Sequence, residues 1–235
     1  MLKPAPYKRG DSLENFEGKI VGGIGGFSQA CVHQTELKEP LEVVLLQGSR
    51  AEGFHARLGD AHHKLYEGKL QSATVSFTLE AFSTEKEGDP LTNISKDSST
   101  LKGKVTGELR NYLINRMEKE KIKGALFYIK GIAKDIKTYG HTDPHRLNDR
   151  TKTFDQTVGQ TTVEGWGNFS LIDGKTPFVH IHGTYAVNGV KKGGHFIMDD
   201  KTPFLFEKGE IFIHPVAPII RAVQTEDFPT WRVGK

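Results

Sequence analysis

The chain has one cysteine, Cys31, in 235 residues. No disulfide can form within it, and a cysteine-ligated zinc ribbon is excluded. A reducing, cytoplasmic setting is expected. Long apolar runs are also missing. Val43-Val44-Leu45-Leu46 is representative, far short of the ~20 residues that cross a bilayer. Met1-Leu2-Lys3-Pro4-Ala5-Pro6 lacks the apolar core of a secretory signal, so neither secretion nor membrane association is expected. A dominant charge sign is lacking as well. There are 32 Lys+Arg against 29 Asp+Glu, a net +3. Up to Gly103 the chain has 12 cations and 14 anions, and beyond it 20 and 15. A duplex-binding module carries a denser basic stripe than this. Gly22-Gly23-Ile24-Gly25-Gly26 is followed by neither a P-loop lysine nor dinucleotide-binding spacing, which removes a phosphate loop.

What is present is a folding composition, with 36% hydrophobic and 26% charged residues. The length suits one large domain or two ordinary ones. Glu85 to Lys104 is polar, rich in Ser, Gly and Asp, and contains Pro90, so it reads as a linker. The expected organisation is a first domain over 1–84, a linker over 85–104 and a second domain over 105–235. Ala73 to Ala81 alternates so that Val75, Phe77 and Leu79 share one face of a half-buried strand. Thr106 is placed to cap a helix carrying Leu109, Tyr112, Leu113 and Met117, and Gly124–Gly131 reads as a buried strand.

The halves align as distant copies. Ile20–Gly26 answers Phe127–Ala133, Leu41–Gly48 answers Thr161–Gly167, and Phe54–Leu70 answers His180–Phe196. Between the first and last of these matches the second copy holds 19 more residues, placed around Tyr139–Gln160. The expected fold class is α/β in the α+β sense: two similar domains, each a largely antiparallel sheet with few helices.

The chemistry concentrates in Pro177 to Met198. Asn188-Gly189 between two β-rich runs signals a two-residue hairpin turn. Residue i then faces residue 377 − i, so His182 lies opposite His195. Side chains alternate along a strand, which puts His180 on the same face. Opposed Cβ atoms sit about 4.5–5.5 Å apart, so three imidazoles converge. Three neutral imidazoles suit a divalent metal, zinc foremost, and leave a position for water or substrate. A bulge at Gly193-Gly194 would shift this pairing by one residue. The first half offers Phe54, Ala56 and Lys69 at these places, or His55 and Arg57 one residue on, and so no ligand trio.

Other candidates are weaker. Glu164 shares a strand face with Thr162, Trp166 and Asn168 and is the candidate catalytic residue, as a general base or fourth ligand. His141, Asp143 and His145 have metal-like spacing in a turn. His62-His63 read as turn residues and His214 as structural. Lys191, Lys192 and Arg221 could attract an anion.

The Gly-Ile-Ala turn, Gly167-Asn168-Phe169-Ser170, and above all His180-x-His182 followed by Gly193-Gly194-His195 resemble the plant-and-prokaryote-conserved (PPC) domain. The resemblance covers about 105–217 well and 12–82 loosely. In the histidine motif it extends, with a shorter turn, to acetolactate decarboxylase, whose histidines hold zinc. It implies an antiparallel α/β domain, homo-oligomers (trimers of single domains in the family) and, by the family's usual description, DNA binding. The Arg-Gly-Arg-Pro hook of plant relatives is absent, and only Lys8-Arg9-Gly10 suggests a basic arm. The sequence thus leads to a divalent-metal protein acting as a lyase or hydrolase on a small anion. A DNA-binding regulator is the alternative.

Overall fold

The computed structural model describes residues 2–38, 40–85, 99–141, 153–198, 201–222 and 230–233. The N-terminal half forms strands β1 (Lys3–Lys8), β2 (Lys19–Val32), β3 (Thr35–Leu37), β4 (Leu41–Ser49), β5 (Gly53–Gly59) and β6 (Leu65–Thr84). β2, β4, β5 and β6 pair in that order, and β6 returns to pair with β2, which closes a barrel. Closure requires strong bending, and β2 bends through register shifts at its glycine-rich stretch. Those shifts break the two-residue alternation. Ile20 and Phe27 fill the barrel, while Val21 and Ile24 face outward.

The second half forms β7 (Leu101–Glu108), helix α1 (Leu109–Lys119), β8 (Ala125–Lys134), β9 (Ile136–His141), β10 (Thr153–Val158), β11 (Thr161–Ile172), β12 (Thr176–Val187), β13 (Val190–Phe196), β14 (Leu205–Pro215), β15 (Ile219–Ala222) and β16 (Thr230–Val233). These make a second, open sheet in the order β10-β9-β13-β12-β11-β8-β14-β7, with β15 parallel to β11. The molecule is therefore mostly antiparallel β with one α-helix among the described residues, an α+β class with few helices. No described helix is long and apolar enough to cross a membrane. The strands equated in the internal alignment hold equivalent places, β2-β4-β5-β6 in one sheet and β8-β11-β12-β13 in the other. The extra residues of the second half supply β9 and β10 at the free edge of β13.

Two local expectations are corrected. The helix cap is Glu108, not Thr106: the Glu108 carboxylate accepts from the backbone N–H groups of Arg110 and Asn111 at 3.0 and 2.6 Å. A carboxylate there meets both the orphan donors and the positive end of the helix dipole, and Thr106 lies in β7. The helix buries Leu109, Leu113 and Met117 as its spacing predicts. Leu101–Lys104, read as linker, already belong to β7; residues 86–98 of that segment lie outside the described residues.

One core fills the barrel, a second lies between the open sheet and α1, and a third joins the two sheets. The joining core packs Leu2, Val21, Ile24, Leu45 and Phe82 against Leu126, Trp166 and Ile219. Backbones approach very closely here. A Cβ on Gly59 would lie 2.2 Å from the Gly193 carbonyl oxygen, so a larger residue at 59 would force the two backbones apart. The strand expected to be half-buried is buried on both faces: Val75 and Leu79 point into the barrel, and Ser76 and Glu80 are covered as well.

Candidate metal centre

The turn at Asn188-Gly189 has positive φ at both residues, 51° and 78°, the requirement of the tight hairpin turn that matches strand twist. β12 and β13 then pair without a bulge. Val187 faces Val190, Gly183 faces Gly194, and His182 faces His195. Val179, Ile181 and Tyr185 enter the core of the open sheet, so His180 and His182 project from the opposite face, toward the barrel. The expected convergence is realised. His180 Nε2 lies 3.0 Å from His182 Nε2 and 3.3 Å from His195 Nδ1, and the last two are 3.1 Å apart.

These spacings fit a metal. Around zinc, with nitrogen at about 2.0–2.1 Å, tetrahedral donors lie about 3.3 Å apart. The orientation of the rings is equally telling. His180 Nδ1 is 2.6 Å from Glu80 Oε2. A carboxylate only accepts, so Nδ1 carries the proton and Nε2 turns its lone pair inward. Behind His182, Glu42 Oε2 lies 3.5 Å from Nδ1, with both side chains almost fully buried. Inward lone pairs about 3 Å apart repel unless something positive sits among them, a proton or a metal ion. Ring nitrogens backed by carboxylates are the common outer arrangement of metal-bound histidine.

Glu80 is itself held in place. Arg221 grips it with both terminal nitrogens, Nη1 on Oε1 and Nη2 on Oε2, the latter at 2.8 Å. Asn168 Nδ2 donates to Oε2 at 2.6 Å. Arg221 also donates to Ser170 Oγ (2.7 Å) and Asn168 Oδ1 (2.9 Å), and its guanidinium lies 4.5 Å from the Phe178 ring centre. Burial pushes the Glu80 carboxyl up, but the charge of Arg221 and the hydrogen bonds from His180 and Arg221 outweigh it. They hold the carboxyl well below the usual carboxylate range. Arg221, expected to attract an anion from solvent, is instead only 3% exposed and committed to Glu80.

The remaining candidates fall elsewhere. Glu164 lies opposite Thr184 on β12. Its carboxylate pairs with Arg57 of β5 at 3.2 Å and accepts from the Tyr128 hydroxyl at 3.2 Å. Burial and the Glu164 charge push the Tyr128 phenol well above its ordinary range, so that proton stays on tyrosine. Among the described residues, the donors close enough to share an ion are His180, His182 and His195, without Glu164. His214 is buried and bonded to Thr100 Oγ1 at 2.9 Å, a structural role as expected. His62 lies in a turn as expected; its neighbour His63 is buried and packs its ring against Tyr185. Lys191 and Lys192 flank the hairpin turn, and Lys192 also bridges to Lys64 of the N-terminal half. Asp143 and His145 lie outside the described residues, as does the side chain of His141.

Sequence reasoning missed Glu42 and Glu80. Each had a readable signal: a lone carboxylate within an apolar run, Leu41-Glu42-Val43-Val44 and Leu79-Glu80-Ala81-Phe82. A charge so placed is buried, and a buried charge needs a partner.

No protein-family model and no curated protein matches the chain. Solved structures do resemble it. The PPC protein of Pyrococcus horikoshii is 25% identical, with 58% of this chain and 92% of that one covered and a TM-score of 0.47. A metal-containing protein of Archaeoglobus fulgidus is 18% identical, covering 57% and 92%, with a TM-score of 0.46. The α-acetolactate decarboxylase of Bacillus subtilis strain 168 is 17% identical, covering 94% and 85%, with a TM-score of 0.48. A PPC protein and an acetolactate decarboxylase are thus both among the solved structures similar to this chain.

Proposed function

We propose that the chain binds one divalent cation, zinc by its donor set, through His180 Nε2, His182 Nε2 and His195 Nδ1. The proposal extends to lyase or hydrolase chemistry on a small anionic substrate. The observation that carries it is the meeting of three ring nitrogens at 3.0–3.3 Å, one of them backed by a buried carboxylate. When bound, such an ion polarises a carbonyl or carboxylate oxygen, or lowers the pKa of a water. The chain's own part is to hold the rings. Glu80 keeps the His180 lone pair turned inward, and Glu42 backs His182. Arg221 and Glu80 cancel each other's charge. Three neutral imidazoles around a dication leave the open position positive, which favours an anionic ligand. To act as the general base, Glu164 must leave Arg57 and Tyr128, so this reading gives the chemistry to the histidine cluster.

Metal analysis of the purified protein, with His182→Ala as control, tests the reading. Near one zinc per chain, lost on substitution, supports it. Metal-free protein with an unchanged fold rejects it. DNA affinity that falls steeply with salt and ignores His182→Ala would favour the DNA-binding alternative instead.

A further inference from the structure

The histidines all belong to the second half, yet the group that orients one of them comes from the first. Glu80 lies on β6, a barrel strand, and meets His180 across the junction of the sheets. Its other contacts all come from the second half: Asn168 on β11 and Arg221 on β15, with Arg221 itself anchored by Ser170. Fully buried, this carboxylate is fixed from three directions, and each of its oxygens is engaged. Glu42, from barrel strand β4, stands behind the second ring at the longer distance of 3.5 Å.

The geometry points to Glu80 and Arg221 as positioning residues of the metal centre, so that the N-terminal barrel is an integral part of the site and ion binding is coupled to docking of the two sheets. This rests on the metal reading above. Glu80 fixes which nitrogen of His180 is free and where it points, and raises the basicity of the ring. Arg221 fixes Glu80: its planar fork engages both carboxylate oxygens, and Oε2 accepts from Asn168 and His180 as well. Without the clamp only Asn168 would restrain the carboxylate against rotating away from His180. A barrel displaced from the open sheet would carry Glu80 and Glu42 with it and leave His180 and His182 without their backing carboxylates. Conversely, an ion that binds only the docked arrangement stabilises it by linkage.

The test is zinc affinity of the full chain, measured by competition with a chromophoric chelator, for wild type, Glu80→Gln, Glu80→Asp and Arg221→Lys. Circular dichroism and thermal unfolding of each metal-free protein run alongside. Glu80→Gln removes the charge, and Glu80→Asp keeps the charge beside Arg221 but draws it back from His180. Both are expected to weaken zinc about 10- to 100-fold, with Arg221→Lys weakening it less. The ¹⁵N shifts of the His180 ring in metal-free protein report the tautomer directly. They are expected to show Nδ1 protonated in wild type and a mixed tautomer in Glu80→Gln, a change that a purely structural role would not produce. Folded Glu80→Asp with wild-type affinity and an unchanged His180 tautomer in the Gln variant would overturn the assignment. Wild-type protein without zinc affinity would instead sink the metal reading on which it rests.

Discussion

Glu80 and His180 stand 100 residues apart in the chain and 2.6 Å apart in the fold. That contact ties a barrel strand to a histidine hairpin in the other sheet. It makes the candidate site a product of both halves, although only one half carries the histidines.

Chelation should lower stability. An ion that binds the native state alone adds about 2.7 kcal/mol when its concentration is a hundred times Kd. For a chain of this size that is roughly 5–10 °C in Tm. Differential scanning calorimetry with and without EDTA should show that drop, and added zinc should reverse it. Protons compete with metal for ring nitrogens, so the shift should shrink as pH falls.

Glu164→Gln should leave zinc affinity within about twofold, because Glu164 is paired with Arg57 and Tyr128 outside the donor cluster. Its 29% exposed side chain marks a partly solvated pair, so a stability loss of up to about 1 kcal/mol is expected from denaturant unfolding. Loss of stoichiometric zinc would make Glu164 a ligand after all.

Gly59→Ala tests the docking of the sheets. The added methyl would meet the Gly193 carbonyl oxygen, a backbone atom that cannot rotate away. A cost of about 1–3 kcal/mol is expected, together with weaker zinc binding, since the clash pushes the barrel from the strand that carries His195. A stable variant with unchanged affinity would mean that the junction is looser than described.

Tyr185 gives a prediction at alkaline pH. Burial pushes its phenol up to about 12, against a smaller lowering by its bond with Thr138. The unfolded chain releases this proton near the ordinary value of about 10. The unfolded state therefore holds fewer protons over that interval, and stability must fall as pH rises from about 10 to 12. The loss assigned to this residue is about 2 kcal/mol. Tyr185→Phe should flatten that part of the curve in denaturant titrations at successive pH values.

The hairpin was legible because everything it needs is local. Asn188-Gly189 sets the turn, the turn sets the register, and the two-residue alternation sets the face, so His180, His182 and His195 could be brought together by arithmetic. Glu80 was not legible in the same way. Alternation correctly turned Leu79 into the barrel and Glu80 away from it. It could not show that the outer face would be covered by the other sheet, because that depends on contacts between residues a hundred positions apart. Phe82, an apolar residue on the same outward face, was the available hint. Thr106 was a reasonable cap by type, but β7 runs to Glu108 before the backbone turns helical. Arg221 resembled any other late-chain cation until its burial was known.

Anomalous diffraction at the zinc edge, from crystals grown with zinc, addresses the central claim most directly. The account predicts one strong peak about 2.0–2.1 Å from His180 Nε2, His182 Nε2 and His195 Nδ1 together. Crystals in which zinc lies only elsewhere, with the three rings bridged by water or turned apart, would contradict it.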